Sequence, residues 1–415
     1  MKVLAQWILL GTLVGTGCGL SSAAFLFLLE RATAFRTGHL ALVWALPLFG
    51  LVGGWLLQRY GENIRGGTNL VLDTFHEDRP QIPLRLVPMM LVGTVLTHCF
   101  GGSAGREGTA VQMGAGLADA VSHLLKVTRE NRVRLIAAGI AGGFGSVFGT
   151  PLAGALFGLE VLAVGTLEVD ALVPALVSAL VGDQVTRRLG ILHAAYPIPH
   201  ALPLSLGVVL KWVVCGVAVG AVCVVFIEGT HRLKALLEKR LPTLAFRMAL
   251  GGLGVVLLWR LFGTDRYLGL GMPTILRAFT DPALAHYDFA AKLVFTSVTL
   301  GSGFPGGEVT PLFFIGATLG NALASPLGLP LALTAAVCLA SMFGAAANTP
   351  LALCVMAGEL FGAAVFPHVA IVMVVAFLVS GHRGIYPAQR VFRFKHGRKP
   401  SQGVFALRDI HRTRP

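Results

Sequence analysis

Phe144-Gly145-Ser146-Val147-Phe148-Gly149-Thr150-Pro151-Leu152-Ala153, followed by Glu160, decides how this chain is built, because its framework occurs twice. Phe343-Gly344, Thr349-Pro350-Leu351-Ala352 and Glu359 repeat it, each position 199 residues later. Upstream, Glu107 and Thr109 correspond to Glu308 and Thr310 at an offset of 201. Small apolar residues coincide easily by chance, whereas Thr-Pro pairs and glutamates inside apolar segments do not. The chain therefore reads as two related halves, residues 1–200 and 201–390, followed by a basic tail, 391–415. In a membrane protein, repeated halves point to a transporter built about a pseudo-two-fold axis, with its site near the midplane where broken helices of both halves meet.

Composition supplies the membrane. Of 415 residues, 55% are hydrophobic and 13% charged, with a mean hydropathy of +0.75; soluble domains carry about 25% charged residues. Apolar runs long enough to cross roughly 30 Å of hydrocarbon recur near 3–29, 39–57, 84–100, 133–163, 206–227, 244–262, 288–300 and 330–380. The first run is longer than the apolar core of a secretory signal and precedes many more spans, so it reads as a first helix that is kept. Cys18, Cys99, Cys215, Cys223, Cys338 and Cys354 are scattered through apolar segments without metal-ligand spacing and read as packing thiols.

The net charge of +13 gathers in short connections and at the end: Lys126, Arg129, Arg132 and Arg134, then Arg232, Lys234, Lys239 and Arg240, then 383–414. Such segments face the cytoplasm by the positive-inside tendency. The tail lacks the interleaved aromatics of a nucleic-acid module, so it reads as solvated cytoplasmic charge and no nucleic-acid partner is expected.

Three segments place glycine, hydroxyl and acidic residues where a bilayer would ordinarily exclude them: Arg65-Gly66-Gly67-Thr68-Asn69-Leu70, Gly101-Gly102-Ser103-Ala104-Gly105-Arg106-Glu107-Gly108-Thr109, and Gly301-Ser302-Gly303-Phe304-Pro305-Gly306-Gly307-Glu308-Val309-Thr310-Pro311. The second and third open into apolar helices expected over 110–125 and 312–323. A helix start presents unpaired N–H groups and about half a positive charge, which suits an anion. Irregular backbone at membrane depth is tolerated only inside protein or along a wet cavity, so these segments read as pathway elements. A carboxylate there, Glu107, can occupy the anion's place when charged and leave when protonated, acting as gate and proton carrier together. The plainer reading of Glu107 and Glu308 is helix capping, and of Glu160 and Glu359 interface packing; intramembrane acids favour the functional reading for Glu107.

With these motifs in view, the chain resembles the CLC family of anion channels and transporters, over nearly its whole length. The resemblance rests on the order of the three segments, the GREG motif at 105–108, the two Thr-Pro motifs, and Gly384-Ile385-Tyr386 after the last span. It implies an all-α polytopic membrane protein with the CLC fold, two inverted-topology halves, about 16–18 helices and a homodimer with one pathway per subunit. The details are similar to the fluoride/proton antiporter branch. A chloride-type GSGIP is absent, Gly66-Gly67-Thr68-Asn69 standing in its place; Thr109 follows GREG where chloride members carry proline; Glu308-Val309-Thr310 replaces a more apolar set.

The resemblance implies that Glu107 gates and transfers protons with Glu308 as a neighbouring acid. It implies anion contacts at Gly67, Thr68, Asn69, Gly105, Arg106, Gly108, Thr109, Val309, Thr310 and the hydroxyl of Tyr386, with Thr68 and Asn69 left as alternatives. The inner proton glutamate of chloride-type antiporters falls here at Val161, next to Glu160, so the inner proton route must differ. Fluoride is small and strongly hydrated, and a site for it must replace lost water with short hydrogen bonds from good donors.

The implied activity is fluoride export against proton entry across the cell (inner) membrane, the C-terminus cytoplasmic, with no cofactor and no enzymatic reaction. The partners are fluoride, protons, the bilayer and a second copy. The rival on the same fold is a chloride/proton antiporter or chloride channel. A remote one is an intramembrane hydrolase, since Gly101-Gly102-Ser103-Ala104-Gly105 fits G-x-S-x-G with His98 nearby, but that pattern is weak outside a strand-turn-helix unit.

Overall fold

A computed structural model describes residues 2–77, 81–197, 200, 202–400 and 403–410. Among these are sixteen α-helices, eight on each side of residue 200. The first eight are α1 (Lys2–Gly38), α2 (Leu46–Tyr60), α3 (Thr68–His76), α4 (Leu86–Cys99), α5 (Glu107–Leu124), α6 (Arg129–Phe148), α7 (Pro151–Glu160) and α8 (Leu172–Arg188). The second eight are α9 (Leu206–Arg240), α10 (Leu244–Phe262), α11 (Met272–Arg277), α12 (Asp288–Gly301), α13 (Val309–Leu327), α14 (Leu331–Ala347), α15 (Pro350–Phe361) and α16 (Phe366–Val379). The order is the same in both sets, including a short third helix and a long first one.

Packing repeats with the order. α5 lies on α6 as α13 lies on α14, α1 on α8 as α9 on α16, and α4 on α5 as α12 on α13. Among the described residues α2 meets α10, α7 meets α15 and α5 meets α13, each a helix against its own counterpart, as elements beside a pseudo-two-fold axis must. The fold is thus the all-α, two-half inverted membrane architecture that the sequence implied.

Local chemistry explains why apolar runs break where they do. The run 133–163 divides because Gly149 ends α6 in the left-handed region (φ +75°) and Pro151 opens α7 at its first turn. Asn348 does the same after α14 at φ +59°, with Pro350 opening α15. Glycine and asparagine are the residues that adopt this cap cheaply, and proline at a helix start gives up no intrahelical bond. These stops leave short helices inside the protein rather than one continuous span.

Five helical stretches are long and apolar enough to cross a membrane by length and composition: Lys2–Gly38, Leu40–Tyr60, Val169–Arg188, Leu206–Arg240 and Leu244–Phe262. Their outer faces carry exposed Leu9, Leu20, Phe27, Leu210, Val225, Leu257 and Leu261, as expected against lipid. α5, α6, α13 and α14 form the protein's interior.

Each acid of the repeated Thr-Pro motif caps the other half's helix. Glu160 accepts from Leu351 N and Ala352 N (3.0 and 2.8 Å), and Glu359 from Leu152 N and Ala153 N (3.0 and 2.8 Å). Both acids thus satisfy orphan helix-start donors, which supports the packing reading. The tail departs from a solvated strand. It folds back through a small sheet, Ala163–Val164 parallel to Arg390–Val391 and the latter antiparallel to Phe405–Ala406. Arg408 holds Asp73 of α3 through both carboxylate oxygens at 3.1 Å, and Arg390 reaches Glu77 at 2.6 Å. Residues 401–402 and 411–415 of the tail lie outside the described residues.

Candidate functional site

The two acidic helix starts meet. Gly105 N donates to Gly307 O (2.6 Å) and Gly307 N to Gly105 O (2.9 Å), a pair of antiparallel bonds across the two halves. The approach admits no side chain: a Cβ on Gly105 would lie 2.9 Å from Pro311 Cδ and 3.0 Å from both Gly307 O and Thr310 N, and one on Gly307 would lie 2.8 Å from Gly108 N. Glycine at these positions is a requirement of distance.

This contact carries Glu107 from its own helix onto the start of its counterpart. The Glu107 carboxylate, 1% exposed, accepts from Thr310 N at 3.1 Å and from the Thr310 hydroxyl at 2.6 Å. On its own side it accepts from Arg106 N (3.1 Å) and Arg106 Nε (3.3 Å). Val309, 1% exposed, is the first residue of α13 beside it. A carboxylate of one half therefore fills an anion cradle of the other: two donors and a helix start, where charge-assisted bonds are the strong ones.

A second group surrounds a cavity of about 220 Å³ lined in part by Gly67, Thr68, Asn69, Gln112, Glu308 and Tyr386. An adjoining cavity of about 230 Å³ shares Asn69, Glu308, Lys234 and Glu238 and runs along α9. Gly67 precedes α3 at φ +55°. Donor bookkeeping separates Thr68 from Asn69. Asn69 Oδ1 accepts from Ala388 N at 3.0 Å, which ties α3 to the chain just after Tyr386. Thr68 Oγ1 accepts from Gln112 Nε2 at 3.1 Å, so its own hydroxyl proton is left to donate elsewhere.

Among the residues expected from sequence, Gly105, Arg106, Glu107, Gly108, Val309 and Thr310 come together at the junction, and Gly67, Thr68, Asn69, Glu308 and Tyr386 at the cavity. Thr109 is placed otherwise. Its hydroxyl is paired with that of Thr94 of α4 at 2.8 Å. The serine-histidine pair of the hydrolase pattern does not form: Ser103 Oγ pairs with Thr296 Oγ1 (2.9 Å), and both ring nitrogens of His98 face carbonyls, of Thr94 and Ala104.

Two glutamines outside the expected set also belong to this region. Gln112 stands five residues beyond Glu107, and Gln389 bonds Val161 O, Ala347 O and Asn348 Nδ2, joining the ends of α7 and α14 to the tail. An amide within or just after apolar spans was the available signal, by the same argument that singles out intramembrane acids.

Comparison with known proteins bears on the fold and the family. Residues 49–381 match the family described as voltage gated chloride channel. A protein of Pseudomonas syringae pv. tomato named "Chloride/fluoride channel protein" is 47% identical over 416 residues, covering 99% of this chain and 92% of its own. A crystal structure of a CLC-type fluoride/proton antiporter superposes with a TM-score of 0.91 at 40% identity, covering 94% of this chain and 98% of that one. A slow cyanobacterial Cl-/H+ antiporter shares the fold, with a TM-score of 0.78 at 21% identity, covering 90% and 94%. By its repeated halves, its paired helix starts and these likenesses, the chain belongs to the CLC, or voltage gated chloride channel, family.

Proposed function

We propose that this protein exports fluoride in exchange for protons across the cell membrane, with Glu107 as both gate and proton carrier. The observation that carries the reading is the Glu107 carboxylate seated on the Thr310 N–H and hydroxyl at the start of α13. A site that holds a carboxylate with those donors holds a small anion equally well, so carboxylate and fluoride compete for one place. Protonation weakens the carboxyl's hold on its donors and yields the place to the ion, which couples the two movements. The similarity to a chloride/fluoride channel protein and to a fluoride/proton antiporter supports fluoride as the ion.

The roles follow the placement. Gly105, Arg106, Gly108, Thr109, Val309 and Thr310 form the gate's cradle; Gly67, Thr68, Asn69 and Tyr386 form the cavity's anion contacts, Thr68 through its free hydroxyl proton. Glu308, on both cavities, is the neighbouring acid. This face is the cytoplasmic one in this reading; the basic connections, with Lys234 on both cavities, support that orientation. The halves divide near residue 200, the tail begins near 391, and two copies associate through apolar surface. The protein works as a transporter rather than an enzyme.

A pH gradient alone tests coupling. Vesicles holding the protein and equal fluoride on both sides, acidified on one side, should move fluoride toward the acid side under a clamped potential. Fluoride that stays at equilibrium under that gradient would contradict proton exchange.

A further inference from the structure

Behind the loop that leads to the gate lies a group of basic side chains that the exchange described above does not use. Arg36, at the end of α1, is 4% exposed, and its Nε and Nη1 are buried without a hydrogen-bond partner. Lys292 of α12 is fully buried; its ammonium donates to Tyr267 O (3.1 Å) and Gly269 O (2.6 Å) and stands 5.3 Å from the Phe314 ring centroid. His98, also fully buried, spans Thr94 O and Ala104 O at 2.8 and 2.9 Å, an arrangement in which both ring nitrogens are satisfied only as donors. The three converge on Gly269, where a Cβ would lie 3.5 Å from Arg36 Nη2 and 3.7 Å from His98 Cδ2.

Among the described residues no carboxylate forms an ion pair with Arg36 or Lys292. Asp265 acts on Arg36 only from beyond ion-pair distance, and Asp288, one turn before Lys292, is engaged by Arg266 and the Tyr267 hydroxyl. Arginine does not lose its proton in proteins, and an uncompensated buried ion costs several kcal/mol. The charge of Arg36 is thus not offset by any ion pair among the described residues.

We propose that Arg36, Lys292 and His98 form a site for a small inorganic anion of the halide class, separate from the gate's cradle and on its far side from the cavity. The placement follows from α4: Met90 lines the cavity, and His98 stands eight residues on, about 12 Å along the helix axis. The cluster also touches the gate's own loop. His98 bonds Ala104 O, three residues before Glu107, and Thr296 and Thr299, one and two turns beyond Lys292, bond Ser103 Oγ and Ser103 N. An anion held here waits beside the loop whose end carries the gate, on the side away from the cytoplasmic cavity. The unfilled guanidinium donors are its first contacts and the ammonium is its counter-charge.

The ligand class leans on the transport reading; the site's existence does not, and the test separates them. Crystals of the full chain soaked in bromide should show an anomalous peak within hydrogen-bond distance of Arg36 Nε or Lys292 Nζ. The same peak should persist in Thr310→Val, which damages the gate's cradle, and vanish in Lys292→Met. In parallel, the Tm of detergent-purified Thr310→Val protein should rise with the logarithm of bromide concentration at constant ionic strength, and the rise should be lost on adding Arg36→Gln. Peaks confined to the cradle, or a bromide-dependent Tm shift abolished by Thr310→Val alone, would overturn the second site. Bromide at the cluster in a protein that moves no fluoride would uphold the site while contradicting the transport reading.

Discussion

Replacing Glu107 by glutamine tests the gate most sharply, because the change keeps shape and removes charge. In the structure Thr310 gives the carboxylate two bonds, from its N–H at 3.1 Å and its hydroxyl at 2.6 Å. A hydrogen bond to a charged group contributes about 1.5–3 kcal/mol and one between neutral groups about 0.5–1.5. Neutralising the acceptor therefore costs about 1–1.5 kcal/mol per bond, or about 2–3 kcal/mol over the two. At tenfold per 1.4 kcal/mol, the side chain's hold on the cradle falls roughly 30- to 150-fold, and the anion meets that much less competition. The amide also does not titrate in the working pH range, so it carries no proton across the pathway. Glu107→Gln in liposomes should pass fluoride down its gradient while proton movement tied to fluoride disappears, as read by a fluoride electrode and an external pH electrode together. Proton pumping against a gradient, still in step with fluoride, would refute the assignment of Glu107 as carrier.

Other outcomes follow from the same geometry. Thr310→Val removes the 2.6 Å hydroxyl donor, and the fluoride KM for efflux should rise about tenfold, the value of one such bond to a charged partner; an unchanged KM would move the ion elsewhere. Gly105→Ala sets a methyl against backbone at 3.0 Å and should abolish flux even where protein is recovered in the membrane, which paired expression and flux assays would show. Glu160→Ala and Glu359→Ala each strip a cap from two N–H groups. Each should cost about 0.5–2 kcal/mol, seen as similar losses of Tm, with the fluoride-to-proton ratio intact; a changed ratio for Glu160→Ala would give that acid a transport role. Arg408→Gln breaks a bidentate pair whose arginine is 43% exposed. Its partner Asp73 is only 9% exposed and the geometry is bidentate, so the pair is worth about 1 kcal/mol or somewhat more, and the tail should become several-fold more susceptible to protease, with wild-type susceptibility approaching the variant's in high salt.

Much of this was legible in the sequence, for identifiable reasons. The repeat of Thr-Pro-Leu-Ala and glutamate is visible because few residue types can end one helix and begin the next inside a membrane, and both halves solve the problem alike. The acids at 107 and 308 stand out because a bilayer tolerates charge only where protein surrounds it. Apolarity puts the helix starts at 110 and 312, three residues after the observed Glu107 and Val309. Apolarity marks where a helix enters hydrocarbon, while its first turn lies among polar residues at the site. What pattern alone could not supply was pairing at a distance. That Glu107 rests on Thr310 rather than on its own helix, that Glu160 and Glu359 exchange caps, and that the tail returns to Asp73 all depend on contacts more than 190 residues apart. Thr109 gives a further case, its hydroxyl lying against that of Thr94 on α4, a partner the motif does not reveal.

The central claim, exchange of fluoride for protons through the Glu107 cradle, is tested most directly by ion efflux from liposomes containing the purified wild-type protein. Loads of fluoride and of chloride are compared at a fixed potential while external pH is recorded. The account predicts rapid fluoride efflux with proton uptake in constant ratio and little chloride movement. Chloride efflux as fast as fluoride, or fluoride efflux that leaves external pH unchanged, would contradict it.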